Sequence, residues 1–371
     1  MNILHINSNY RYSALHSELI VRLNTQGISN RIFMPIHEHS EKDFVHVPFS
    51  EIDSPISFKR NDRFFFFLKQ RKIRNIIKNQ INVAEFNIIH AHTLFTDGYA
   101  AYRLHNEYKI PYIVAVRNTD INIFFKKRIF LKKLGVEILK NASSIIFLSK
   151  VHYEEVMNSY IPEMEKANID KKVEILPNGI DKFWLENKNR RNYKDNFNKI
   201  KLIYTGRINT NKNIRTTIES CEILLKKGYD INFTIVGKID DQQEYKRIQN
   251  YSFINYHVQQ PKDKLIDFYR SSDIFIMPSL RETFGLVYAE AMSQGLPIIY
   301  SKGQGFDKQF PDGVVGFPVN KNDAKDIAVK IEKIINNYEN ISKKCLDLCD
   351  VFDWDKITAQ YIAIYEKINT L

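Results

Sequence analysis

Residues 273–301, DIFIMPSLRETFGLVYAEAMSQGLPIIYS, decide how the rest of the chain is read. Ile274–Met277 is a short apolar run stopped by Pro278, the pattern of a strand buried on both faces of a parallel sheet. A tight loop, 279–283, follows. Residues 285–294 then space Leu286, Val287, Ala289, Ala291 and Met292 as a helix would bury them, Gly295 is a natural helix stop, and 296–300 reads as a second buried strand. The stretch is a strand, loop, helix, strand unit.

At the C-terminal end of a parallel strand the next helix presents unpaired amides and the positive end of its dipole, so the N–H groups of Thr283, Phe284 and Gly285 form a candidate phosphate site. Glu282 and Glu290 frame that site. Two carboxylates would repel a phosphate lying between them, so they suit neutral hydroxyls on either side of it, which is the pattern of a sugar nucleotide. A second candidate lies after the expected strand 201–205, where Gly206 and Arg207 are followed by Lys212 at a helix start. Two cations on one such loop neutralise a diphosphate, Arg as a planar fork and Lys as a point charge.

The spacing of Glu282 and Glu290, with Phe284 and Gly285 between them and Gly295-Leu296-Pro297 behind, resembles the Glu-x7-Glu motif of retaining glycosyltransferases of family 4. The resemblance implies an α/β protein of the GT-B class, two doubly wound Rossmann-like domains facing a central cleft. It implies transfer of a sugar, most readily from a UDP-sugar donor, without metal or cofactor. Gly206, Arg207 and Lys212 resemble the family's Gly-Arg…Lys set on the donor diphosphate, and Glu282 would orient the sugar. Tyr256-His257-Val258 is similar to the segment before the family's nucleobase loop, with Val258 where a glycine is usual. The catalytic set it implies is Glu282, Arg207, Lys212 and Asp120.

The first half matches this pattern less closely. Its first loop, 8–14, has no glycine where many relatives carry a pair, which leaves Tyr10, Arg11, Tyr12 and Ser13 for acceptor recognition. His90 and His92 in HAHTLFTDG resemble an acceptor-side loop and read equally well as structural histidines. RNTD at 117–120 stands where relatives often carry His-x-x-Asp, placing Asp120 toward the donor sugar and Arg117 on the acceptor side. KGQGFD at 302–307 replaces the commoner Gly-Gly-x-x-Glu and reads equally as a plain loop.

Around these sites apolar runs alternate with helical patterns. Strands are expected at 3–7, 31–34, 87–90, 112–116 and 144–148, then at 201–205 and 232–236, with helices at 15–25, 97–108, 213–227 and 264–269 between them. PNGID at 177–181 resembles the family's interdomain hinge, and the polar tract 187–199 has linker composition. A chain of 371 residues exceeds what one core usually serves. The division expected is an acceptor-side domain 1–180 and a donor domain 181–354, with the last helix, 355–371, packing back on the first domain.

The net charge of +11 is concentrated in two places. Residues 59–78 hold eight basic side chains against Asp62, and residues 126–140 hold six against Glu137. Both are interleaved with large apolar groups, Phe64 to Phe67 in one and Phe124, Phe125, Ile129 and Phe130 in the other. Read as basic helices with aromatic faces, 59–80 and 124–140 fit an anionic membrane surface, each Lys or Arg adding roughly 1 kcal/mol; read as solvated faces over an ordinary core, they imply no partner. No nucleic-acid-binding signature accompanies the charge. No apolar run approaches the roughly 18 to 20 residues of a membrane span, no signal peptide is visible, and the three cysteines show no metal-ligand spacing and suit a reducing compartment. The expectation is a cytoplasmic transferase, peripheral at the inner face of a membrane, acting on a lipid-linked saccharide in surface polysaccharide or glycoconjugate assembly. A nucleotide-sugar 2-epimerase and a non-catalytic sugar-nucleotide-binding scaffold stay open on the same residues.

Overall fold

The structure, a computed structural model, describes residues 1–12, 15–38, 50–189 and 197–370, without the side chain of Arg63. Ser13 and Ala14 of the first loop, residues 39–49 of the polar loop before Phe58, and 190–196 of the linker tract lie outside the described residues. The chain forms two compact units, Met1–Leu148 with His152–Asn178 and Trp354–Leu371, and Ser149–Val151 with Gly179–Asp353.

The first unit is built on β1 (Asn2–Ile6), β2 (Ser29–Phe33), β3 (Ile36–His37), β4 (Glu51–Asp53), β5 (Ile56–Phe58), β6 (Ile88–Ala91), β7 (Tyr112–Val116), β8 (Ser144–Phe147) and β9 (Val173–Ile175). Seven of these pair in the order β4-β2-β1-β6-β7-β8-β9, and every pair is parallel. The short β3 and β5 pair separately. Parallel strands joined by helical crossovers are covered on both faces, which is why β6, β7 and β8 are buried at every position. On one face Leu4, Ile6, Ile89 and Val114 meet Ile73, Ile77 and Leu104; on the other Ile3, Ile32, Ile88 and Ile113 meet Leu19, Leu23 and the last helix.

That last helix, Trp354–Asn369, sends Trp354, Ile357, Tyr361, Ile364, Tyr365 and Ile368 into the core of the first unit. Asp355 receives the Arg22 Nε at 2.7 Å, and the Tyr365 hydroxyl meets His90 Nδ1 at 2.7 Å.

The second unit carries β10 (Lys199–Thr205), β11 (Asp230–Val236), β12 (Ile254–His257), β13 (Ile274–Met277), β14 (Ile298–Ser301) and β15 (Gly316–Val319), parallel in the order β12-β11-β10-β13-β14-β15. The opening stretch is β13, the helix Leu286–Ser293 and β14, with β13 and β14 wholly buried. All three cysteines are buried; burial pushes the Cys221 thiol up to about 12 and Cys349 up to about 11.

The two basic stretches differ from simple helices. The first is a 3-10 turn, Arg60–Phe64, followed by the helix Phe66–Gln80. The second breaks into a π-helical turn Asp120–Phe125, a 3-10 turn Ile129–Leu131 and the helix Lys132–Asn141. A straight helix would not bury Ile121, Phe125 and Leu131 while holding Asp120 against the preceding loop. Among the described residues no helix is long and apolar enough to cross a membrane.

Trp184 and Trp354, the two tryptophans of the chain, lie in different units, so in a Trp184→Phe background the emission of Trp354 follows the first unit alone. There Tyr365→Ala is expected to cost the first unit about 3–5 kcal/mol, the range for truncating a buried aromatic, read as a lower denaturant midpoint of Trp354 emission.

Candidate active site

In a doubly wound sheet, loops diverge where the strand order reverses, opening a crevice at the C-terminal strand ends. In the second unit that point lies between β10 and β13. The loop after β10 carries Gly206, Arg207 and Lys212; the loop after β13 carries Glu282 to Gly285. They meet: Lys212 Nζ lies 2.7 Å from Glu282 Oε2, and both side chains are largely shielded from solvent. Asn211 ties the loops together, its carbonyl accepting the Leu280 N–H at 2.8 Å and its Oδ1 the Arg281 N–H at 3.1 Å. A third loop, 302–307, joins them. Gln304 Oε1 accepts the Glu282 N–H at 2.9 Å, and the Glu282 carbonyl accepts the Gly305 N–H at 3.1 Å. A Cβ on Gly305 would sit 1.7 Å from the Thr283 carbonyl oxygen, so a side chain there would displace the loop.

Gly285 has φ +78° and begins the helix Leu286–Ser293. The Thr283 amide is spent on Glu282 Oε1 at 3.0 Å, whereas the Phe284 and Gly285 amides donate to no group among the described residues. Phe284 is buried against Phe306 and Phe352. Glu290 lies half-buried on the helix and receives the Tyr269 hydroxyl at 3.3 Å, and burial raises its carboxyl to about 7. Tyr269 also meets the Thr205 hydroxyl at 2.8 Å, which links Glu290 to the end of β10.

A cleft of about 370 Å³ opens at the ends of β10 and β11, lined by Gly206, Arg207, Lys238, Gln259, Gln260 and Val287 among others, and neither Lys212 nor Glu282 is part of its lining. Arg207 is 74 % exposed and reaches Asp240 at 3.6 Å, a weak tie that leaves its guanidinium able to turn. Gly206 and Gly237 approach so closely that a Cβ on Gly237 would lie 1.7 Å from the Gly206 carbonyl oxygen. His257 and Val258 are exposed and not part of the lining; the cleft wall is the next two residues, Gln259 and Gln260. Lys238 escaped the sequence reading, although Val236-Gly237-Lys238 repeats the strand, glycine, cation order of Thr205-Gly206-Arg207.

In the first unit the reversal lies between β1 and β6. Asp120 is buried with its carboxylate filled by three backbone amides, Leu94 at 3.0 Å, Phe95 at 3.1 Å and Arg117 at 2.8 Å. It fixes the loop after β6. Arg117 donates from Nε to the His92 carbonyl at 3.1 Å. Of the three residues expected on the acceptor side, Tyr10 is 3 % exposed and packs into the core from the 3-10 turn Tyr10–Tyr12, while Arg11 and Tyr12 line a separate pocket.

His92 belongs to a buried cluster with His5 and His90, whose ring nitrogens lie within 4.8 Å of one another. Asn30 Oδ1 at 2.8 Å takes the His5 Nε2–H, which leaves His5 Nδ1 to accept from His92 Nε2–H at 3.0 Å. Those three nitrogens offer a metal ion a donor set but not convergent lone pairs: His90 and His92 stack at 4.2 Å and 17°, so their in-plane lone pairs run side by side. Burial holds His5 down at about 4 and His90 and His92 well below the ordinary imidazole value.

Against known proteins, the description "Glycosyl transferases group 1" matches residues 186–346 and "Glycosyltransferase Family 4" matches residues 17–182. The chain belongs to glycosyltransferase family 4 and has the GT-B fold. It is 26 % identical over 304 residues to an uncharacterised glycosyltransferase of Methanocaldococcus jannaschii, covering 79 % of this chain and 78 % of that one. It is 30 % identical over 208 residues to the capsular polysaccharide biosynthesis glycosyltransferase CapM of Staphylococcus aureus, 53 % of each chain. Sucrose-phosphate synthase of Thermosynechococcus elongatus superposes with a TM-score of 0.74 at 16 % identity over 99 % of this chain and 98 % of that one. HepE of Anabaena, solved with UDP and glucose, superposes with a TM-score of 0.67 at 15 % identity over the whole of both chains.

The histidine cluster gives a prediction for acid. An imidazole that titrates at about 4 when folded and near 6.5 when unfolded lets the unfolded chain take up protons first, so the stability it confers is full above about 6.5 and is lost as pH falls toward 4. In the Trp184→Phe background the denaturant midpoint of the first unit should drop between pH 7 and pH 4.5, and His5→Gln should flatten that drop.

Proposed function

We propose that the chain is a retaining, metal-independent hexosyltransferase that moves a sugar from a UDP-sugar to a hydroxyl of a lipid-linked saccharide in surface polysaccharide or glycoconjugate assembly. The observation that carries this reading is the Lys212–Glu282 pair at the reversal point of the second sheet, on the loops that follow β10 and β13, with Arg207 of the first of those loops lining a cleft together with Lys238. Before donor binds, Lys212 and Glu282 neutralise each other. A donor diphosphate competes for Lys212 with its greater charge, which releases Glu282 to accept hydrogen bonds from sugar hydroxyls.

In the step proposed, the acceptor oxygen bonds to the anomeric carbon as the bond from that carbon to the phosphate oxygen breaks. The acceptor proton passes to the departing phosphate, on the same face. Arg207, Lys212 and the Phe284 and Gly285 amides stabilise the charge that develops on the leaving diphosphate, and Glu282 holds the sugar. Glu290, its carboxyl raised to about 7 by burial, serves a ribose hydroxyl, and Gln259 and Gln260 meet the base edge. Asp120 acts by fixing the loop after β6. The UDP preference is supported by HepE, solved with UDP and with UDP-glucose, and the polysaccharide context by CapM.

An anionic membrane surface completes the reading. Phe64, Phe65, Phe67 and Leu68 are exposed, as are Ile129 and Phe130, with Phe64 at 79 % and Phe130 at 69 %. Phe66 packs on Phe124 with ring centroids 6.0 Å apart, and Arg128 lies over Phe124, so the two basic stretches meet. Exposed aromatics ringed by Lys and Arg on one unit support attachment at the cytoplasmic face, where the lipid-linked acceptor lies.

Thermal stabilisation across UDP, GDP and ADP tests the donor assignment. UDP at 100 times its dissociation constant should add about 2.7 kcal/mol, and Arg207→Ala should abolish that gain at the same concentration. Lys212→Ala is expected to lower transfer by about 10²–10³-fold, as loss of one charge-stabilising donor does. Sugar product formed without any acceptor would replace the reading with epimerisation, and nucleotide binding without any turnover would replace it with a scaffold. On vesicles containing phosphatidylglycerol, the double variant Phe65→Ser, Phe67→Ser should bind at least about tenfold more weakly, since each buried Phe contributes roughly 1.5–3 kcal/mol.

A further inference from the structure

The first unit holds a second cavity, of about 190 Å³, at the reversal point between β1 and β6, bounded by Arg11, Tyr12, His37, Phe58, Lys69 and Thr96 among others. Among the described residues no Asp or Glu lines it. Arg11 Nη1 is buried there and has no hydrogen-bond partner among the described residues. A guanidinium nitrogen shut away from water without an acceptor is costly, and the cost disappears when an anion enters. Lys69 supplies a second cation, its Nζ held 4.1 Å from the centre of the Phe58 ring. The polar wall includes Ser8, Asn9 and Thr96; the apolar wall is Tyr12, Ile36 and Phe58.

Lys69 connects this pocket to the aromatic face. It lies on the helix Phe66–Gln80, one helical turn after exposed Phe65, whose carbonyl accepts the Lys69 N–H at 3.0 Å. A molecule with an apolar tail against Phe65 therefore has its head beside Lys69 and Arg11. We infer that this pocket is a phosphate-ester subsite that takes the anionic head of the lipid-linked acceptor. The inference rests on the acceptor side of the proposed transferase and not on its donor chemistry.

The test is calorimetric titration of inorganic pyrophosphate into the full chain with UDP saturating the second unit. One equivalent should bind, and Arg11→Gln and Lys69→Gln should each weaken it at least about tenfold while UDP binding and the thermal unfolding of the free variants stay as in the wild type. Arg11→Lys, which keeps the charge and loses the fork, should recover part of the affinity. Pyrophosphate that fails to bind beside UDP, or binds all the variants alike, overturns the subsite and leaves the transferase standing. Failure of UDP itself, with pyrophosphate still dependent on Arg11, sinks the transferase reading and leaves the subsite. Phosphatidylglycerol vesicles separate the two sources of phosphate. Arg11→Gln should bind them as the wild type does; loss of vesicle binding with pyrophosphate binding intact assigns the pocket to bulk lipid headgroups and overturns its acceptor role.

Discussion

A parallel sheet covered on both faces leaves almost no side chain of its strands free for chemistry. β13 and β14 are buried at every position, and so are β6, β7 and β8. What is left is the backbone at the C-terminal strand ends and the loops that leave it, so the polar groups of each unit collect there. The glycines follow from the same constraint. Gly237 lets its backbone touch that of Gly206, and Gly305 lets the loop after β14 touch the loop after β13. A side chain at Gly237 would push the Arg207 loop away from the loop after β11, and one at Gly305 would push the Glu282 loop away from the loop after β14.

Within that frame the second unit keeps its charges in reserve. Lys212 and Glu282 are paired, Arg207 is loosely held by Asp240, and burial raises the Glu290 carboxyl to about 7. Each is stable without ligand, and each can be redirected. The first unit is arranged differently: Asp120 is saturated by amides, and His5, His90 and His92 are tied to Asn30, Tyr365 and one another, so its polar interior positions loops, while Arg11 Nη1, like His90 Nε2, is buried without a partner among the described residues.

Much of this was legible in the sequence because it is local. Strands ending in Pro278, Gly206 or Gly237 announce themselves by apolar runs and punctuation, and Leu15–Thr25 and Tyr112–Val116 begin and end where periodicity puts them. The ion pair is not local; residues 70 positions apart in the chain carry no mark of their meeting. Tyr10 shows the other limit, since a three-residue turn decides which of Tyr10, Arg11 and Tyr12 faces inward, and periodicity is silent over so short a span. Charge counting found the two basic stretches but not the Phe66–Phe124 contact that joins them, nor the turns that break the second.

The buried thiols have a practical consequence. Cys221, Cys345 and Cys349 are enclosed in the second unit, two of them with their protons held tightly, so none offers a thiolate to a reagent in solution at neutral pH. A cysteine introduced at an exposed position of the first unit would stand alone in reactivity without removal of the native three. A fluorophore attached there would report the polarity around one chosen point of the aromatic face as it meets a vesicle.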